Sequence, residues 1–166
     1  MGTGQTLLTI GAIMLLSTVI LTVNRSLNTN SQVLLNTNIG LEEVSLATSI
    51  IEEAQGKAFD ENTYQNTVNS TSQLTPPSAL GQENNNPNDL NDFDDYNGLN
   101  NHGLVDTVNV STRIYIDSTR VCYVDPSNLE GTSSVATWHK RLDVWVWNKD
   151  VPDTVKMHAL FSYWYF

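Results

Sequence analysis

The residues with the greatest capacity for chemistry lie together in Asp89-Leu-Asn91-Asp92-Phe-Asp94-Asp95-Tyr-Asn97-Gly98. Calcium takes about six to eight oxygen ligands from carboxylates, amides and carbonyls on a loop that can wrap it. This segment supplies such oxygens densely, and a bound cation would relieve the repulsion among its aspartates. Asp89, Asn91, Asp92, Asp94, Asp95 and Asn97 are therefore the candidate Ca²⁺ ligands. The spacing is not that of an EF-hand, which needs D-x-[DN]-x-[DN]-G and a later Glu. A solvated acidic loop is the plainer alternative.

Other chemistry is sparse. Trp138, Trp145, Trp147 and Trp164, with Tyr115, Tyr123, Tyr163 and Tyr165, offer enough aromatic surface for a sugar-binding or subunit-binding face. Core packing and subunit contacts account for most of them. His102, His139 and His158 share no metal-ligand spacing. Cys122 is the only cysteine, so no intrachain disulfide forms, and on an alternating strand it reads as a small buried residue. Sequons at Asn24, Asn69 and Asn109 are no more than an Asn-rich chain produces by chance. No nucleophile elbow, phosphate loop or zinc-helix motif occurs, and the chain does not read as an enzyme.

The elements that carry these residues begin with Leu7–Val23, LLTIGAIMLLSTVILTV, which is apolar on every side and precedes the first charged residue, Arg25. A helix with no polar face must be covered all round, by lipid or by copies of itself. Its 17 residues reach about 25 Å, the short end of a membrane span. After an Asn-, Ser- and Thr-rich transition, Val44, Ala47, Ile51, Ala54 and Ala58 recur at spacings of three and four, the stripe of an amphipathic helix. No proline interrupts Met1–Leu74, so residues 1–59 are expected as one long helix, 1–24 apolar and 25–59 amphipathic, with a loosened stretch where Asn24–Asn38 and Gly40 weaken it.

Residues 60–103 form an acidic, Asn-rich loop region full of turn dipeptides such as Asn97-Gly98. From 104 to 166 the apolar period becomes two. Val108–Ile116, Val121–Val124, Leu142–Trp147 and Val155–Phe166 read as about four antiparallel strands, with Asp117-Ser118-Thr119 as the turn between the first two. The fold class expected is α+β, the amphipathic part of the helix packing on the sheet.

An uninterrupted N-terminal helix, apolar for its first third and amphipathic thereafter, then a loop and an antiparallel sheet, resembles a type IV pilin or pseudopilin. The resemblance implies that a short basic leader is cleaved before Met1, that the new N-terminus is methylated, and that the apolar helices bundle into a filament core. Met1 suits the apolar first position of the family, whereas Gln5 stands where the family usually has Glu. Gln5 accepts a hydrogen bond from a neighbouring ammonium without neutralising it. The resemblance makes Met1 and Gln5 register residues, and Leu7, Leu8, Ile10, Ile13, Leu16 and Ile20 core contacts.

The formal net charge of −10 argues against nucleic acid and anionic lipid as electrostatic partners. The expected function is a structural subunit of an extracellular helical filament of identical chains, held in the inner membrane before assembly. The alternatives are a minor pseudopilin of a secretion system and a monomeric membrane-anchored domain that binds a glycan or peptide.

Overall fold

The computed structural model describes residues 2–83, 90–98, 115–149 and 151–164. The chain divides into two units, Met1–Ile39 and Gly40–Phe166. Helix α1 (Thr3–Gln55) supplies the described part of the first unit and opens the second.

In the first unit the hydroxyl-bearing residues do not loosen the helix. Thr29 donates to the carbonyl of Arg25, Ser31 to that of Leu27 and Thr37 to that of Val33, at 2.8–3.0 Å. Bonding back to the preceding turn satisfies these side chains inside the helix instead of competing with it. The expected loosened stretch is accordingly continuous α-helix. The helix stops at Gln55, just before Gly56, whose N–H is shared between the carbonyls of Glu52 and Glu53. That is four residues short of the expected end at 59, because Ala58 leaves the helix to form a parallel bridge with Asp92.

The second unit packs the end of α1 on a sheet of three strands among the described residues: β1 (Tyr115–Tyr123), β2 (His139–Asn148) and β3 (Thr154–Ser162), in the order β1-β2-β3, antiparallel throughout. Ala47, Ile50, Ile51 and Ala54 are buried, whereas Val44 of the expected stripe stays exposed. Small residues on this face let the helix approach closely; Thr48 Oγ1 reaches the sulfur of Met157 at 3.9 Å and Gln55 donates to the carbonyl of Leu160.

Among the described residues three strands stand where about four were expected. Asp117-Ser118-Thr119 is not a turn but the middle of β1, paired with Val146, Trp145 and Val144. Polar residues face inward there: Asp117 and Thr119 are both buried, and Thr119 Oγ1 is satisfied by the carbonyl of Tyr96. Val108 and Val110 of the expected first strand lie outside the described residues. Along β2 the alternation is as read, with Leu142, Val144 and Val146 fully buried and Asp143, Trp145 and Trp147 half-buried on the other face.

Between α1 and β1 the described residues include a short helix, α2 (Glu61–Gln65), and single turns of 3-10 helix at Thr71–Gln73, Pro77–Ala79 and Asp94–Tyr96. Asp60 caps α2 in a reciprocal box with Thr63. Phe59, Val68, Leu74 and Tyr123 form a core beneath these turns, with Trp138, Phe161 and Tyr163 packed against it. The Phe59 ring meets that of Phe161 edge-on at 5.7 Å, and Trp138 stacks on Tyr163 at 5.6 Å.

Candidate functional site

Two features stand apart from ordinary packing, one in each unit. In the first, the side chains assigned to assembly are open to solvent within the chain: Leu7 (70 %), Leu8 (76 %), Ile10, Ile13, Leu16 and Ile20 all exceed half exposure. Gln5 is exposed near the start of α1, its N–H bonded to the carbonyl of Gly2. Met1 lies outside the described residues.

In the second unit a cluster of carboxyl groups is buried around one lysine. The segment that bears it is fixed by backbone pairing: Phe93 N–H donates to the carbonyl of Ala58 at 2.8 Å, and Ala58 N–H to that of Asn91 at 3.4 Å. This pairing carries Asp92, Asp94 and Asp95 inward, and each is wholly shielded from solvent. Lys140, inward-facing on β2 and equally buried, donates to Asp60 Oδ2 at 2.9 Å, Asp94 Oδ1 at 2.5 Å and the carbonyl of Phe59 at 2.8 Å. The rings of Phe59 and Tyr123 flank its ammonium at 4.7 and 5.2 Å.

One ammonium serves two carboxylates unequally. Burial pushes Asp60 upward, but Lys140 and N–H donors from Thr75 and Asn62 outweigh it and hold Asp60 below the usual range. Asp94 has fewer donors, and there burial wins over Lys140 and raises it. Tyr123 is raised by burial and by the charge of Asp60, to which its hydroxyl donates.

Asp92 and Asp95 brace one another. Asp95 N–H donates to Asp92 Oδ1, while the N–H groups of Asn91 and Asp92 donate to Asp95 Oδ2. Each aspartate thus uses one oxygen; among the described residues Asp92 Oδ2, Asp95 Oδ1 and Asp94 Oδ2 lack a donor, as does Glu61 Oε2. Burial, then the charges of Asp94 and Asp95, push Asp92 up to about 8. Glu83 is raised by burial, by Asp95 and by Glu61. Ligand atoms of Glu61, Glu83 and Asp92 all lie within 4.8 Å of one another.

Against protein-family models, curated proteins and solved structures, the chain shows no match.

The sequence-read ligand set is thus divided by the fold. Asp92 and Asp95 point into the cluster, and Asp94 is committed to Lys140. Asn97 is spent on architecture: its Oδ1 accepts from Val121 N–H and its Nδ2 donates to the carbonyl of Leu80, both at 2.9 Å. Asp89 lies outside the described residues. Asp60, Glu61, Glu83 and Lys140 escaped sequence reasoning. Only Asp60 carries a local signal, the Asp-x-x-Thr of a helix start. Of the aromatic residues, Trp138, Tyr163 and exposed Trp164 line a cleft of about 400 Å³ with Asn69 and His139. His139 Nδ1 is 2.8 Å from Ser162 Oγ, His158 is exposed, and Cys122 is buried and unpaired.

Proposed function

We propose that this chain is a pilin-like structural subunit of an extracellular helical filament, polymerising through its apolar N-terminal helix and residing in the inner membrane before assembly. The observation that carries the reading is the apolar part of α1, long enough to cross a membrane and with none of its apolar window buried within the chain. Such a surface requires cover. Lipid covers it in the precursor. In a filament the same faces of neighbouring helices take over, and each fully buried Leu or Ile contributes about 1.5–3 kcal/mol before entropy is subtracted. Gly2, Gly4 and Gly11, with open space around each, add points of close helix approach. The α+β unit that follows would form the coat.

The test is to shear the cells, image the sheared fraction by electron microscopy and weigh the N-terminal peptide. Filaments built of this chain, starting at a free or methylated Met1 behind an encoded basic leader, are expected. Recovery only from membranes, with an initiator Met1, would overturn the reading. One observation favours a second reading, a membrane-anchored binding domain: the cleft where Trp138 stacks on Tyr163 beside exposed Trp164 offers flat aromatic faces to a sugar ring. A glycan array on the purified protein separates the two.

A further inference from the structure

The second unit holds more buried negative charge than its lysine can balance. Asp60, Glu61, Glu83, Asp92, Asp94 and Asp95 converge from three separate stretches of chain, and Lys140 engages only Asp60 and Asp94. Glu61, Glu83, Asp92 and Asp95 form no ion pair among the described residues. Solvent does not compensate Asp92 or Asp95, which have no exposure. A carboxylate oxygen without a donor in a dry site costs several kcal/mol in general and persists where something else compensates it.

We propose that Glu61, Glu83 and Asp92 bind a calcium ion, with Asp95 beside them as a further oxygen source. Three observations converge on a cation. The three ligand groups come within 4.8 Å of one another, close enough to share the oxygen shell of one calcium ion, which is about 4.6–5.2 Å across. The side chain of Asp92 is fully buried, and its Oδ2 has no donor among the described residues, nor does Glu61 Oε2. Every atom offered is a hard carboxylate oxygen, with no sulfur or imidazole, the ligand chemistry of calcium and not of zinc or copper. Half-burial of Glu61 and Glu83 leaves a route for the ion and room for water to complete its shell.

The site has a structural consequence. Glu61 opens α2, Glu83 follows the 3-10 turn at Pro77–Ala79, and Asp92 pairs with Ala58, three residues beyond the end of α1. An ion between them ties three parts of the loop region to one point, as a disulfide would in a chain with a second cysteine. The proposal stands whether or not the chain polymerises.

The test uses the full chain in detergent, stripped with EDTA and titrated with CaCl₂ by calorimetry, with parallel thermal melts. One equivalent of calcium binding at sub-millimolar concentration is expected, with the melting temperature raised by roughly 5–10 °C at saturation. E83Q is expected to weaken binding at least tenfold while the metal-free variant melts no lower than metal-free wild type, because the substitution removes repulsion. If E83Q does not fold, E61Q takes its place. No calorimetric binding and no shift in the wild type would overturn the proposal, the cluster then being held by protons alone. So would an equal shift with MgCl₂ at matched ionic strength that survives in both variants, since that is screening of the net charge.

Discussion

Lys140 Nζ lies 2.9 Å from Asp60 Oδ2, and neither side chain has any contact with solvent. The pair joins β2 to the residue that caps α2, and Tyr123 from β1 completes it by donating to Asp60 and to the carbonyl of Thr75. Removing one partner of a buried pair strands the other charge, at a cost of about 3–5 kcal/mol. K140M keeps the aliphatic stem between Phe59 and Tyr123 but strands Asp60 and Asp94. It is expected to lower the unfolding free energy in urea by about that amount, and D60N added to K140M should restore part of it. A loss below about 1 kcal/mol would mean that water reaches the cluster and the pair is not dry.

Asn97 makes the second tie between loop and sheet. Its two amide atoms bridge the carbonyl of Leu80 and the N–H of Val121. N97D retains the acceptor and loses the donor, whereas N97A loses both and leaves the Val121 N–H unsatisfied. The expected order of stability is wild type, then N97D, then N97A, the last down by about 1–3 kcal/mol. Limited proteolysis should cut within 80–98 in N97A before it cuts wild type, and equal digestion rates would show that this bridge does not hold the loop.

The parts legible in the sequence were those written in apolar periodicity. Ala47, Ile51 and Ala54 are buried as their spacing requires, and so are Leu142, Val144 and Val146. The strand count was not legible, because Asp117 and Thr119 carry turn chemistry in a place where the fold hides them; Thr119 is accommodated only by a carbonyl supplied from Tyr96, 23 residues earlier. The acidic cluster was half legible. Its density at 89–98 marked Asp92 and Asp95, but burial of Lys140 is invisible on a strand where Arg141 and His139 flank it. Glu61 and Glu83 gain their significance only from the bridge between Ala58 and Asp92, a long-range pairing that no local spacing encodes.

Glu43 gives a pH signature separate from the cluster. It is buried at 1 % exposure, with Oε1 lacking a donor among the described residues. Burial raises its pKa above the ordinary glutamate value, assisted by the charge of Asp153 and opposed by an N–H from Asn148. A carboxyl whose folded value is raised binds its proton more tightly in the native state. Its contribution therefore declines as pH climbs from about 4.5 through the raised value, and stays lower beyond it. E43Q removes the ionisation and should flatten that part of the curve, gaining on the order of 1 kcal/mol at pH 7. Parallel wild-type and E43Q profiles between pH 4 and 8 would count against this assignment.

Ile13 separates folding from assembly. Its side chain is 63 % exposed within the chain and sits in the middle of the apolar run of α1. An aspartate at the centre of a spanning helix costs about 2.5–3.5 kcal/mol of insertion free energy, and between packed helices it would also bury a charge without a partner. I13D is therefore expected to fall out of both the membrane fraction and the sheared filament fraction. The unit Gly40–Phe166 should melt as in wild type, because its core of Phe59, Val68, Leu74 and Tyr123 is built from residues of that unit. An exposed position elsewhere is the control: S134D, on a loop of the second unit, should leave fractionation unchanged. If I13D partitions like wild type, cover of the apolar run is not what localises the protein, and the filament reading loses its main support.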